Sequence, residues 1–171
     1  MCEVFCRESR QTMALKLCLL DEHKLSCGAQ TLMNEYKLLT EELSHPNIIK
    51  VYPKENRWEN VFVMQMELGL ETLEHYSERA DLTENQCAQI MKGIFLALEY
   101  LHDERNVIHR DIKPENIVIT DYDDLSSAKL IDFGLATRAT KYEILDYAKC
   151  GTLLYTPPEQ ITNNFAYAKV S

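Results

Sequence analysis

The run His109-Arg110-Asp111-Ile112-Lys113-Pro114-Glu115-Asn116 puts a carboxylate, an ammonium and an amide into one loop between a helix and a strand. Chemistry on phosphate needs such a set. Downstream, Asp132-Phe133-Gly134 follows a short β-prone run and places a second carboxylate where a metal ion could bridge to polyphosphate oxygens.

The elements that must hold these residues are legible from periodicity. Thr83-Glu84-Asn85-Gln86 fits a capping box, and Cys87, Ile90, Met91, Ile94, Leu98 and Leu101 follow at helical spacing, predicting a buried helix that ends near His102. Residues 117–120 and 129–131 read as short strands joined by the polar residues 121–127. Residues 13–19 alternate: Met13, Leu15, Leu17 and Leu19 form an aliphatic face, and Lys16 points away from it with Ala14 and Cys18. Leu32, Tyr36, Leu39 and Leu43 recur at helical spacing before His45-Pro46-Asn47, which predicts an amphipathic helix over residues 30–43. Residues 48–52 and 61–66 are β-prone runs either side of polar residues 54–60, a hairpin-like arrangement. The early part is strand-rich and the later part helix-rich, with the division at residues 66–69.

The chain has 171 residues, 46% of them hydrophobic and 26% charged, which suits one globular domain or a two-lobed unit. Its formal charge of −9 argues against nucleic acid as a partner, because binding a phosphate backbone usually requires clustered Lys and Arg. No stretch has signal-peptide length, and the longest apolar run, residues 17–20, is far too short to span a bilayer. A soluble intracellular protein without membrane contact is expected, cytoplasmic or nuclear. Six cysteines at irregular spacing, with no Cys-x-x-Cys pair, are expected to be small buried hydrophobes rather than metal ligands.

Taken together, the loop around Asp111 and the Asp132-Phe133-Gly134 run resemble the protein kinase family, with Asp111 and Asn116 at the family's separation. Ala14-Leu15-Lys16 looks like the family's strand-borne lysine, Glu35 like its ion-pair partner, and Pro157-Pro158-Glu159 is similar to the motif closing the activation segment. The resemblance implies an α+β, two-lobed fold that uses ATP and Mg²⁺. It implies Lys16 on the α and β phosphates, Asp132 and Asn116 as Mg²⁺ ligands, Asp111 as acceptor of the hydroxyl proton, and Lys113 on the migrating phosphoryl group. Leu39, Val51, His109 and Phe133 resemble the stacked residues linking both lobes. Val4, Ala14 and Val118 resemble those that sandwich adenine, Met66 the residue behind the pocket, and Glu67 and Leu68 the hinge whose backbone hydrogen-bonds adenine. Lys113 and Gly151-Thr152 are similar to the branch that phosphorylates Ser and Thr of protein substrates. Cys150-Gly151-Thr152, with Glu115, is reminiscent of the calcium/calmodulin-dependent group, in which Glu115 would attract a basic residue near the phosphoacceptor.

The sequence also departs from the family pattern. No glycine-rich loop precedes Val4, since Gly28 is the first glycine. Ala148 stands where many relatives carry a phosphorylated threonine, so Arg110 lacks its usual partner, although Thr137, Thr140, Tyr142 and Tyr147 are nearby. The chain ends at Ser171, soon after the activation segment. The expectation is therefore a kinase truncated at both ends: a partial N-lobe over residues 1–66, then the hinge and first half of the C-lobe over 67–171. Uncovering the apolar face of residues 83–101 forfeits about 1.5–3 kcal/mol for each large apolar side chain, against a typical stability of about 5–15 kcal/mol. Three functions follow as expectations: a Ser/Thr protein kinase, a non-catalytic kinase-like fragment acting as a binding module, or a kinase acting on small molecules, the last weakened by the peptide-docking segment around Thr152 and Pro158. The first requires residues 16, 111, 116 and 132 to converge on one cleft.

Overall fold

The structure is a computed structural model that describes residues 2–6, 11–20, 27–53, 57–58, 60–138 and 152–156. Ala148, Cys150, Gly151, Pro157-Pro158-Glu159, Thr140, Tyr142 and Tyr147 lie outside these residues. Four strands, β1 (Cys2–Cys6), β2 (Gln11–Leu19), β3 (Arg57–Trp58) and β4 (Val61–Glu67), form an antiparallel sheet in the order β1-β2-β4-β3. Helix α1 (Cys27–Lys37) packs across this sheet and runs on into a π-helical turn, Leu38–Glu42, closed by the Leu43 N–H on Leu38 O at 3.1 Å.

The register decides which side of β2 faces the helix, a choice that the alternation leaves open. Ala14, Lys16 and Cys18 stand opposite Met66, Met64 and Phe62, and directly opposed side chains share a face. Those three β4 residues are buried, whereas Leu17 and Leu19 are 49% and 70% exposed. Alternation separates two faces without saying which one a helix will cover. Here α1 covers the side where its Glu35 meets Lys16, and Leu17 and Leu19 on the other side stay exposed.

The hairpin also forms differently from the pattern. The partner of β4 across the polar connection is β3, through Arg57↔Phe62 and Trp58↔Val61. Residues 48–52 bridge instead of forming a strand: Glu67 N donates to Lys50 O and Tyr52 N to Gln65 O, while Ile49 N donates to Leu130 O.

The later part contains β5 (Glu71–Thr72), α2 (Leu73–Arg79), α3 (Glu84–Glu99), β6 (Val107–Ile108), β7 (Ile117–Ile119), β8 (Lys129–Leu130) and β9 (Thr137–Arg138). Thr83 and Gln86 form the capping box in both directions, and α3 buries Ile90, Ile94 and Ala97 before a π-helical turn, Tyr100–Glu104. Cys87 is an exposed free thiol and Cys18 a half-buried one, so neither is fully buried as expected. Phe95 and Leu96 of α3 are 61% and 44% exposed. Strands β5, β7 and β8 form one small sheet and β6 and β9 another, and these two sheets carry the loops of interest. Asn47, 5% exposed, pins the loop after α1 to this part by donating to Ser126 O and Ala128 O. Among the described residues, no helix is long and apolar enough to cross a membrane.

Gly93 faces Asn47, and a Cβ there would lie 2.4 Å from Ser126 O and 2.5 Å from Asn47 Nδ2. Gly93→Ala is therefore expected to cost about 1–3 kcal/mol of stability, read as a lower urea midpoint at unchanged slope.

Glu71 gathers the other surface cluster. It accepts from Arg79 Nε at 2.9 Å and from the Tyr122 hydroxyl at 2.6 Å, and these bonds hold its carboxyl down at about 2. An unperturbed glutamate titrates at 4.5, so the stabilisation is complete above that value and is lost as pH falls toward about 2. Glu71→Gln should lower Tm at about pH 7, and the gap from wild type should narrow between about pH 5 and about pH 3 in thermal melts.

Candidate functional site

Lys16 projects from the inner face of β2 toward α1, where its Nζ lies 2.7 Å from Glu35 Oε2 and 2.8 Å from Asp132 Oδ1. Glu35 is 2% exposed and also accepts the Phe133 N–H on Oε1 at 3.0 Å. Burial works against the Lys16 ammonium, but Glu35 and Asp132 outweigh it and hold its pKa above the ordinary lysine value. Burial pushes the Glu35 carboxyl up, against the pull of Lys16 and the Phe133 N–H.

A second constellation is built on the loop between β6 and β7. Asn116, 5% exposed, donates from Nδ2 to Asp111 O at 2.9 Å and Asp111 Oδ2 at 2.8 Å. Lys113 Nζ lies 3.1 Å from Asp111 Oδ2 and donates to Thr152 Oγ1 at 2.5 Å, and Thr152 Oγ1 donates to Asp111 Oδ1 at 3.1 Å. Burial opposes the Asp111 charge, yet the hydrogen bonds from Lys113, Thr152 and Asn116 hold its carboxyl below the usual aspartate range. Asp111 is therefore an anion at neutral pH, presented among donors.

Residue 131 joins the two constellations: Ile131 N donates to Asn116 O at 2.9 Å, and Ile131 O accepts from His109 Nε2 at 3.1 Å. His109 Nδ1 accepts the Asp111 N–H, so the ring proton sits on Nε2, and burial lowers the pKa and keeps the imidazole neutral. The His109 ring meets Phe133 edge to face at 4.7 Å, and Leu39, Val51, His109 and Phe133 are all buried. Arg110 and Asp132 hold positive φ of 69° and 61°, a conformation that costs a non-glycine residue about 1–3 kcal/mol. Tertiary bonds compensate: Arg110 Nε donates to Leu135 O at 2.6 Å, and Asp132 is held by Lys16.

After β4, Gly69 approaches β7 so closely that a Cβ would lie 2.7 Å from Val118 Cβ. Ala14 and Met66 are opposed on the inner face and buried. Val4 is not brought to them. The register pairs Val4 with Met13 and Glu3 with Ala14, so Val4 lies on the other face of the sheet from Ala14. The Glu67 N–H is bound to Lys50 O, and its carboxylate to Lys129 Nζ at 2.9 Å and the Lys50 N–H at 2.7 Å.

Among the described residues there is no cluster of three or more His, Cys, Asp or Glu able to hold a metal ion. The oxygen donors present are the Asp132 carboxylate, whose side chain is 48% exposed, and the Asn116 amide, whose nitrogen is spent on Asp111. This set fits Mg²⁺, which commonly takes one or two protein oxygens and completes its shell with phosphates and water. It does not fit a structural ion held by protein alone.

The sequence matches the protein kinase domain family over residues 2–171. The chain belongs to that family. It is similar to the mouse serine/threonine-protein kinase DCLK3, 33% identical over 90% of this chain and 19% of that protein. It also resembles calcium-dependent protein kinase 5 of Plasmodium berghei, 32% identical over 93% of this chain and 27% of that protein. A yeast RNA Pol II CTD kinase complex, CTDK-1, contains a chain that superposes with a TM-score of 0.75 at 27% identity, covering 94% of this chain and 50% of its own. The chain thus spans about a fifth to a quarter of the curated relatives it matches. Protein kinases use ATP and Mg²⁺ and act on proteins.

The Phe133 N–H on Glu35 and the Thr152 hydroxyl on Asp111 were not legible as contacts, because each joins residues far apart in the chain. Removing Lys16 leaves Glu35 buried beside Asp132, which raises the Glu35 pKa further in the folded state than in the unfolded one. The folded form then holds the extra proton, so stability falls as pH rises. Lys16→Met should therefore show a Tm deficit that is larger at about pH 8 than at about pH 5.5.

Proposed function

We propose that this chain is the catalytic region of a Ser/Thr protein kinase that transfers the ATP γ-phosphate to protein hydroxyls. The observation that carries the reading is the single hydrogen-bonded network from Glu35 through Lys16 and Asp132, and through Ile131 to Asn116, Asp111, Lys113 and Thr152. Phosphoryl transfer asks mainly for position and charge, and this network holds both. Lys16, fixed by Glu35, binds the α and β phosphate oxygens. Ala14 and Val118 enclose adenine, with Met66 behind it and the hinge backbone at Glu67 and Leu68 as hydrogen-bonding edge. Asp132 and Asn116 would hold Mg²⁺, which offsets the phosphate charge that otherwise repels an incoming oxygen. Asp111 takes the proton of the substrate hydroxyl, and Lys113 stabilises the migrating group.

Labelled-phosphate transfer from ATP·Mg²⁺ to a mixed Ser/Thr peptide pool tests this. Asp111→Asn should reduce transfer roughly a hundredfold to ten-thousandfold. Equal signals from both forms, or none from a folded chain, would sink the catalytic reading. The exposed Phe95, Leu96, Leu153 and Leu154 favour the second reading, a binding module, and that reading gains if the folded chain is inert.

Glu115 supports a substrate preference. Its Oε2 is buried without a hydrogen-bond partner among the described residues, and an unmatched buried carboxylate oxygen is costly. A Lys or Arg near the phosphoacceptor would satisfy it. A peptide array should show that preference in the wild type and lose it in Glu115→Ala; an array with no basic preference removes this assignment.

A further inference from the structure

Beyond its packing against Thr31, the segment that carries Asp132 is tied by hydrogen bonds to α1 and to the π-helical turn that continues it. Midway along the helix, Glu35 accepts the Phe133 N–H. At its far end, in the π-helical turn, Glu42 Oε2 pairs with Arg138 Nη2. Arg138 is anchored in turn, since β9 places it opposite Val107 of β6, and Arg110 grips Leu135 between the two contacts. Glu35 and Glu42 lie seven residues apart, roughly 10 Å along a helix. Sheet packing and the Asn47 bonds already restrain the helix. A tie at this distance from Glu35 further limits its swing, and the Lys16–Glu35 pair depends on where the helix sits.

We infer that Arg138 is a positioning residue for phosphoryl transfer. It acts through Glu42 to hold α1, and with it Glu35 and Lys16, against segment 132–138. This rests on the kinase reading above. The tie needs no added group, because the carboxylate that satisfies Arg138 lies on the π-helical turn that continues α1. The side chains are 62% and 35% exposed, so solvent and salt screen the pair. Its effect on catalysis is correspondingly modest and sensitive to ionic strength.

The test compares the full chain with Arg138→Glu, Glu42→Arg and the variant carrying both, at about 0.02 M and about 0.5 M salt. Each single reversal should lower kcat/KM for ATP about threefold to fivefold at low salt, and the double variant should recover most of it. The differences should shrink at high salt. Amide hydrogen exchange over residues 27–42 should be faster in the single variants and return toward wild type in the double. Single variants that match wild type in turnover and exchange would overturn the inference, as would a double variant no better than the worse single. If the folded wild type transfers no phosphate, the kinase reading fails, and the exchange pattern alone decides the tie.

Discussion

A carboxylate that is 2% exposed persists only where donors surround it, and Glu35 draws its donors from two distant stretches of chain. Lys16 reaches it from β2, and the Phe133 N–H reaches it from the turn after Asp132. Satisfying that one group fixes much else. Helix α1 must lie on the side of the sheet that Lys16 faces, and the backbone at Asp132 must turn through a left-handed conformation to present the next N–H. Lys16 must then stand between two carboxylates, which is why its ammonium stays charged despite burial.

The second constellation is built on the opposite principle. Asp111 is partly open, and its charge is held by side chains from its own loop and from Thr152. Low pKa and surrounding donors make it a fixed anion at neutral pH. Neutral His109 beneath it contributes no charge: it accepts the Asp111 N–H on one side and donates to Ile131 O on the other, tying the loop to the residue before Asp132. The strained φ of Arg110 and Asp132 falls within this joined region, where tertiary bonds on both sides can offset it.

Some of this could be read along the chain because the physics is local. The α3 cap is a bond between Thr83 and Gln86, three positions apart, and its buried residues repeat at the helical period. Asp111 and Asn116 share one loop, so their spacing is nearly their geometry. The face of β2 was not readable in the same way, since a period of two marks two sides and leaves the choice to the helix that covers one of them. The same limit applies to Val4, whose placement depends on the register of β1 against β2. It also applies to residues 48–52, whose donors and acceptors are divided between β4 and β8.

By itself, the sequence determined the chemical kit and the local elements: which carboxylates, amines and amides exist, which of them share a loop, and where helices begin. These depend on interactions across a few residues, where chain connectivity does most of the positioning. Tertiary structure alone decided that Lys16 meets Asp132 across 116 positions, that Arg138 meets Glu42 across 96, and that leucines on β2 face outward. Contacts of that range are selected by which packing satisfies the buried charges and fills the core, and no periodicity along the chain encodes that choice.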